Sequence, residues 1–161
     1  MSVSTEVKIY SNQKEVVKAL AKAIFKLSKS SDQNRFNILL SGGNTPTELF
    51  KKLSKKYAET IDWERIHLWW GDERCVSPEN ENSNYKQAND FLISKVPIPE
   101  ANVHRIKGEN DPEEEAIRYA GEIEQNLNFR GENPVFDLVL LGLGEDGHTA
   151  SIFPDELELF E

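Results

Sequence analysis

The sequence has 161 residues, 38% hydrophobic and 29% charged, which is typical of one soluble globular domain, here residues 1–161. Its net charge of −9 at pH 7, without a Lys/Arg cluster, argues against nucleic acid or an anionic membrane as a partner. A single cysteine, Cys75, and the lack of any apolar run near the roughly 20 residues of a membrane span favour a cytoplasmic location.

The first part of the chain predicts two strands and a helix. Val7–Tyr10 alternates apolar and polar residues, as a short strand does. Asn12 and Glu15 have the spacing of a capping box, which predicts a helix that begins just after Asn12. Phe36–Leu40 is an apolar run that predicts a buried strand.

A glycine loop follows that strand, with the sequence Ser41-Gly42-Gly43-Asn44-Thr45. Thr45 is predicted to cap the next helix, with a proline at the first helical position and a glutamate as the reciprocal capping residue. Free N–H groups and the dipole at a helix N-terminus form a natural anion site. A tight turn with a good cap explains the same residues, so both interpretations are open.

Charged residues follow the next predicted strand, Ile66–Trp70. Asp72, Glu73 and Arg74 come almost directly after it, and they form either a solvated loop or the lining of a cleft. The Arg74 guanidinium suits a bidentate bond to a phosphate, or it pairs with one of the two neighbouring acids.

The middle of the chain predicts further alternation of helix and strand. Helical spacing before Pro97 predicts a helix over Asn84–Lys95, and Val103–Ile106 predicts a short strand. Asp111 followed by Pro112 predicts the start of another helix. The apolar residues predicted to form the buried face of that helix are Ala116, Ala120, Ile123 and Leu127.

The last motif follows an apolar run, Val135–Leu141, that predicts a fully buried strand. Gly142, Gly144 and Gly147 then have the spacing of a dinucleotide-binding loop. That assignment is not favoured, because the acids between these glycines would repel a pyrophosphate and a nearby proline leaves little room for a helix. The loop does hold a titratable side chain, His148.

Strands that alternate with helices predict an α/β fold with a layered, mostly parallel Rossmann-like sheet flanked by helices. In such a sheet the strand ends at Leu40, Trp70 and Leu141 lie at one edge. The three motifs that follow these strands are therefore expected to converge. Because histidine titrates near neutrality, the combination suits a phosphorylated small molecule that undergoes proton transfer.

The other reactive residues are predicted to be structural. His67 and His104 lie within predicted strands, and Cys75 is expected to be a passive small residue. Ser151 lacks the Gly-x-Ser-x-Gly surroundings of a hydrolase nucleophile. No pair of Cys or His residues has the spacing of metal ligands, so no metal is expected.

Three motifs occur in the order Ser41–Pro46, Trp70–Arg74 and Gly142–Pro154. Together they resemble the 6-phosphogluconolactonases of the glucosamine-6-phosphate isomerase/6-phosphogluconolactonase family, and the resemblance extends from Val7 to about Pro154. It implies hydrolysis of 6-phosphoglucono-δ-lactone to 6-phosphogluconate in the pentose phosphate pathway, without a metal or organic cofactor.

The resemblance also implies a role for each motif on the matching positions. The Ser41–Thr45 loop would hold the phosphate, and Arg74 would contact the substrate. His148 would act as the general base that activates water, with Asp146 orienting its imidazole. Asp72 is a further candidate for a polar contact in the cleft.

Two alternatives remain beside the lactonase. The first is a glucosamine-6-phosphate deaminase-like isomerase, which shares the fold and a similar glycine loop. Such deaminases carry Asp-Glu-Tyr where this chain has Asp72–Arg74, and Ile-Ala-Phe-Asn-Glu-Pro where it has Thr149–Pro154, so both departures favour the lactonase. The second is a non-catalytic sugar-phosphate-binding domain, and the presence of His148 beside Asp146 favours chemistry over binding alone.

The sequence ends at Glu161, short of the usual length of this family. The resemblance therefore implies a C-terminal truncation that removes later strands and helices together with basic residues for the phosphate. The acidic residues 155–161 cannot replace them. Apolar surface exposed in this way predicts a monomer of low stability or a weak homo-oligomer.

Overall fold

The computed structural model describes residues 5–30 and 34–155, so the acidic residues 156–161 lie outside the described part. The helices are α1 Gln13–Ser30, α2 Asn44–Lys56, α3 Asn84–Phe91 and α4 Pro112–Asn126. The strands are β1 Phe36–Leu40, β2 Ile66–Trp70, β3 Val103–His104, β4 Asn128–Arg130, β5 Asn133–Val135 and β6 Leu138–Val139. Within the described ranges, no helix has the length and apolar character needed to cross a membrane.

Four strands form one parallel sheet in the order β3–β2–β1–β6. β1 pairs with β2 along its full length, from Phe36 opposite Ile66 to Leu40 opposite Trp70. It pairs with β6 on its other side, and β2 pairs with β3. β4 and β5 form a separate antiparallel hairpin. The predicted α/β class is confirmed, and the four parallel strands all point their carboxyl ends the same way.

The sheet is covered on both faces, because successive residues of a strand point to opposite sides. Even-numbered residues of β1 and β2 face α1, α2 and α3 in a large apolar core around Ile38, Phe50 and Leu68. Odd-numbered residues face α4, where Trp69 is fully buried in a smaller cluster with Tyr119. This double burial explains why the β2 sequence shows no alternation of apolar and polar residues.

A buried histidine pair lies on the α4 side of the sheet. His67 Nδ1 is 3.0 Å from His104 Nε2, and His104 Nδ1 is 2.7 Å from Glu122 Oε1. Since a carboxylate only accepts hydrogen bonds, each imidazole donates from Nδ1 and His104 accepts at Nε2. His104 also stacks on Trp69, with ring centroids 3.8 Å apart. These contacts agree with the predicted structural role of both histidines.

Helix α4 begins as predicted, and two of the four residues of its predicted buried face are confirmed, since Leu127 is buried and Ile123 packs beside it. The Asp111 side chain caps it by accepting from two backbone N–H groups of the first turn. Ala116 and Ala120, which were expected to be buried, are exposed, whereas Glu115 and Tyr119 are buried. The Tyr119 hydroxyl bonds both the backbone N–H and the carbonyl of the last β2 residue, at 2.9 and 3.0 Å. These bonds satisfy the backbone N–H and carbonyl of Trp70, which β3, with only two residues, is too short to pair.

Two predicted strands differ in the structure. Val7–Tyr10 forms no strand, because no described strand lies beside it, and Val7 and Ile9 are 78% and 92% exposed. The run Val135–Leu141 was expected to be a fully buried strand, but β6 contains only two of its residues and Leu141 is 64% exposed. The reason is position: β6 lies at the edge of the described sheet, and only β1 pairs with it.

Two other elements are shorter than predicted. The helix expected over Asn84–Lys95 ends at Phe91 and is followed by a 3-10 turn, Ile93–Lys95. Leu92 between them leaves the helical conformation, with φ −133°, and its side chain is buried in the core. The strand expected over Val103–Ile106 keeps only its first two residues.

The histidine pair predicts a stability that depends on pH. Burial lowers the pKa of His67 from 6.5 to about 4, with further contributions from the charges of His104 and Arg35. Burial also lowers the pKa of His104. These imidazoles bind protons more readily in the unfolded chain than in the folded chain. Their contribution to the free energy of unfolding is therefore complete above pH 6.5, and it is lost as the pH falls towards 4. We expect a loss of roughly 1–2 kcal/mol between pH 7 and 5, measured by urea denaturation.

A His67→Gln variant provides the control for this effect. Its free energy of unfolding should vary much less over the same pH range, in which ordinary carboxylates keep their charge. Equal pH dependence in the variant and the unaltered chain would contradict the assignment to His67.

Candidate active site

The carboxyl ends of β1, β2 and β6 open into one cleft of about 290 Å³. Its walls are the glycine loop after β1, the charged segment after β2 and the loop after β6, as the parallel topology predicts. The candidate residues that line it are Ser41, Gly42, Gly43, Asn44, Thr45, Asp72, Arg74 and His148. Asp146 joins this group through its contact with His148.

The glycine loop turns directly into α2. Gly43 precedes the helix and has φ 107° and ψ −179°, a backbone conformation that favours glycine. Thr45 therefore lies inside the helix and does not cap it, so the predicted capping is wrong; its hydroxyl accepts from Gln13 instead. The backbone N–H groups of Asn44 and Thr45 belong to the first turn and form no hydrogen bond with any described residue. They remain available to a ligand.

Helix α3 fixes the glycine loop from the other side. Gln87 Oε1 accepts from the Gly43 N–H at 3.1 Å. Asn84 lies so close to Gly42 that a Cβ added there would meet its Oδ1 at 1.9 Å, so any larger residue at this position would displace the Asn84 side chain. Asn84 Nδ2 also donates to the Asp72 carbonyl at 3.1 Å. The sequence pattern gives no signal for Asn84 or Gln87, because helical spacing does not reveal which loops a helix touches.

The charged segment after β2 divides between the cleft and α3. Asp72 and Arg74 line the cleft, whereas the Glu73 carboxylate bonds the start of α3. Arg74 forms no ion pair within the described residues, so the alternative pairing with a neighbouring acid is not formed. Ser151 from the loop after β6 donates to Asp72 Oδ2 at 3.1 Å, which joins two walls of the cleft.

The loop after β6 is closed by its own hydrogen bonds. The Gly144 N–H donates to the His148 carbonyl at 2.8 Å, and the Thr149 hydroxyl donates to the Gly142 carbonyl at 2.9 Å. Gly147 has φ 89°, in the left-handed region that favours glycine. None of the described residues after these glycines is helical, so the loop lacks the helix start of a dinucleotide-binding fingerprint.

Asp146 holds the His148 imidazole. Asp146 Oδ1 accepts from the His148 backbone N–H at 3.2 Å and lies 2.5 Å from His148 Nδ1. The backbone bond and then the imidazole bond lower the pKa of Asp146. As a carboxylate it only accepts, so Nδ1 of His148 carries a proton, and in the neutral form of the ring Nε2 has the lone pair. The imidazole also packs against the Phe153 ring, with centroids 4.9 Å apart.

Residues 11–161 match the model of one protein family, the glucosamine-6-phosphate isomerases/6-phosphogluconolactonase. The chain belongs to this family. A 6-phosphogluconolactonase from Haemophilus influenzae is 48% identical over 121 residues, which are 74% of this chain and 50% of that protein. The resemblance expected from the three motifs is therefore confirmed.

Solved structures of family members have the same fold. A 6-phosphogluconolactonase from Trypanosoma cruzi has a TM-score of 0.83 at 31% identity, over 96% of this chain and 65% of that one. The enzyme of the same name from Thermotoga maritima has a TM-score of 0.74 at 33% identity, over 91% and 61%. This chain spans about half of the length of curated relatives such as the 6-phosphogluconolactonases from Haemophilus influenzae and Aggregatibacter actinomycetemcomitans.

Gly144 offers a test of how this family member holds its histidine. A Cβ added at Gly144 would meet His148 Cε1 and Nδ1 at 2.3 Å, so Gly144→Ala should displace the ring and break its bond to Asp146. In ¹⁵N spectra of histidine-labelled protein, the signal of a single Nδ1-protonated tautomer should be replaced by that of a tautomer mixture.

Gly142→Ala is the matched control in the same loop. A Cβ there would meet only Ser41 Oγ, at 3.9 Å, which is an ordinary contact. The His148 tautomer should stay unchanged in this variant. The same spectrum from both variants would mean that crowding at Gly144 does not control the imidazole.

Proposed function

We propose that this chain hydrolyses 6-phospho-D-glucono-1,5-lactone to 6-phosphogluconate, a reaction of the pentose phosphate pathway. One observation carries the proposal: a helix N-terminus with open N–H groups, the Arg74 side chain and the His148–Asp146 pair border one cleft. The names of the relatives, which are 6-phosphogluconolactonases, support this choice of substrate.

The phosphate of the substrate is assigned to the glycine loop. The N–H groups of Asn44 and Thr45 act there with the α2 dipole, which favours an anion by roughly 0.3–1 kcal/mol at an exposed helix end. Arg74 adds a charge-assisted bond worth roughly 1.5–3 kcal/mol. Local donors of this kind are required, because a chain with a net charge of −9 does not attract an anion through its overall field.

His148 is assigned the role of general base. Its Nε2 takes a proton from water while the water oxygen attacks the lactone carbonyl carbon, and a tetrahedral intermediate forms. The imidazolium then returns the proton to the ring oxygen as the bond between that oxygen and the carbonyl carbon breaks, which gives the open-chain acid. Asp146 keeps the ring in place and stabilises its positive charge between these two steps.

Asp72 is assigned to the sugar hydroxyl groups. Its carboxylate lines the cleft and accepts a side-chain hydrogen bond from Ser151. A carboxylate offers about four acceptor sites, so Asp72 retains acceptors for hydroxyl groups of the substrate. Such bonds would orient the lactone carbonyl towards His148.

We also propose that the reaction takes place in the cytoplasm, with neither nucleic acid nor a membrane as partner. The exposed free thiol of Cys75 suits a reducing compartment, and the net negative charge disfavours polyanions. Exposed apolar side chains beside the cleft, such as Leu141 and Leu143, favour a monomer that associates weakly with itself.

Replacement of the base tests the chemical part of the proposal. His148→Gln keeps a polar side chain of similar size but removes the titratable group. The rate of lactone opening above the uncatalysed background should fall by about 10²–10⁴-fold, measured by titration of the acid released. The affinity for 6-phosphogluconate, measured by calorimetry, should change little because the phosphate donors remain.

Two results would contradict this assignment. Undiminished turnover by His148→Gln would mean that another group is the base. An unaltered chain that binds 6-phosphogluconate but does not accelerate lactone opening would favour the non-catalytic sugar-phosphate-binding alternative.

Replacement of Arg74 tests whether this residue binds the phosphate of the substrate. Arg74→Gln should raise KM for the phosphorylated lactone about 10–100-fold through loss of a charge-assisted bond. Hydrolysis of unphosphorylated glucono-1,5-lactone should change little. Arg130→Gln is the matched control, because it removes the same charge from β4, outside the cleft. An equal rise of KM in both variants would show an effect of net charge without a direct contact.

A further inference from the structure

The side chain of Glu73, between Asp72 and Arg74, forms its hydrogen bonds outside the cleft that its two neighbours line. Both neighbours line the cleft, but the Glu73 carboxylate forms its hydrogen bonds with its own segment and the start of α3. Glu73 is half-buried and forms no ion pair with a basic side chain in the described ranges. A carboxylate without a basic partner, beside an anion site, is unfavourable unless other donors stabilise it.

Four donors satisfy this carboxylate. Glu73 Oε1 accepts from the backbone N–H groups of Arg74 at 2.8 Å and Asn84 at 2.7 Å. Oε2 accepts from the Ser83 hydroxyl at 3.1 Å and from the Tyr85 N–H at 2.8 Å. Three of these donors belong to the N-terminal end of α3, where the helix dipole also favours a negative charge.

Through these bonds Glu73 ties the segment after β2 to α3, and α3 in turn holds the glycine loop. Gln87 accepts from the Gly43 N–H, and Asn84 lies against Gly42 while it donates to the Asp72 carbonyl. Two of the three cleft walls are therefore fixed to one short helix.

We propose that Glu73 is a positioning residue of the lactonase site. This proposal rests on the proposed function. Because its side chain is anchored to α3, the residues on either side of it, Asp72 and Arg74, are held where both reach the bound sugar phosphate. The same bonds direct the negative charge of Glu73 away from the phosphate. Glutamine cannot replace it, because one of its two terminal atoms would be an NH₂ group that faces N–H and O–H donors.

Glu73→Gln is the main test, because it keeps the size of the side chain. We expect kcat/KM for the phosphorylated lactone to fall about 10²-fold, mostly through a higher KM, as the cleft residues lose their alignment. The affinity for 6-phosphogluconate, measured by calorimetry, should fall with it. Glu73→Asp keeps the carboxylate on a shorter side chain and should restore part of both values.

Asn102→Ala controls for a general loss of stability. Asn102 is buried, and its Nδ2 donates to the Glu64 carbonyl at 2.8 Å, just before β2 begins and at the opposite end of the sheet from the cleft. This variant should show a lower melting temperature but an unchanged KM. If it raised KM as much as Glu73→Gln did, the proposed positioning role would be wrong.

The results distinguish this proposal from the proposed function. Wild-type KM and product affinity in Glu73→Gln, with an active unaltered chain, would overturn the positioning role alone. An unaltered chain that neither opens the lactone nor binds 6-phosphogluconate would overturn both. If Glu73→Gln does not fold, the comparison of Glu73→Asp with Asn102→Ala decides, and an unchanged KM in Glu73→Asp would contradict positioning.

Discussion

The parallel pairing of β1 with a strand on each side is the constraint on which the rest of the structure depends. β1 is matched residue by residue with β2, and β6 pairs with its other edge in the same direction. The loops that follow all three strands therefore leave the sheet at one edge. If the five-residue strand β2 ran the other way, its loop would lie about 16 Å away, at the opposite edge. A slip of one residue would bring Asn37 and His67 to the apolar core.

The cleft belongs to an acidic chain, and two acids near it, Glu73 and Asp146, accept hydrogen bonds from N–H groups. Glu73 is bonded by the start of α3, and Asp146 by the backbone and imidazole of His148. Each carboxylate thus fixes the position of a neighbouring group, and it is not left without hydrogen-bond donors beside a bound anion. Electrostatics and geometry act together here, because the hydrogen bonds that stabilise these charges also fix the loops that border the cleft.

The sequence predicts the parts of this structure that depend on local pattern. The apolar runs of β1 and β2 and the cap at Asp111 appear where expected, and the convergence of the three loops follows from the parallel topology. Features that depend on distant partners were missed. The buried face of α4 follows the Tyr119 hydroxyl and its bonds to β2, and the orientation of Glu73 follows donors that lie about ten residues further along the chain.

If the three loops bind the sugar phosphate as one site, an NMR titration with 6-phosphogluconate will show it. The amide signals of Asn44, Arg74 and His148 should shift together and give a single dissociation constant. Shifts confined to one loop, or different dissociation constants for different loops, would contradict it, because the loops would then respond to the ligand independently.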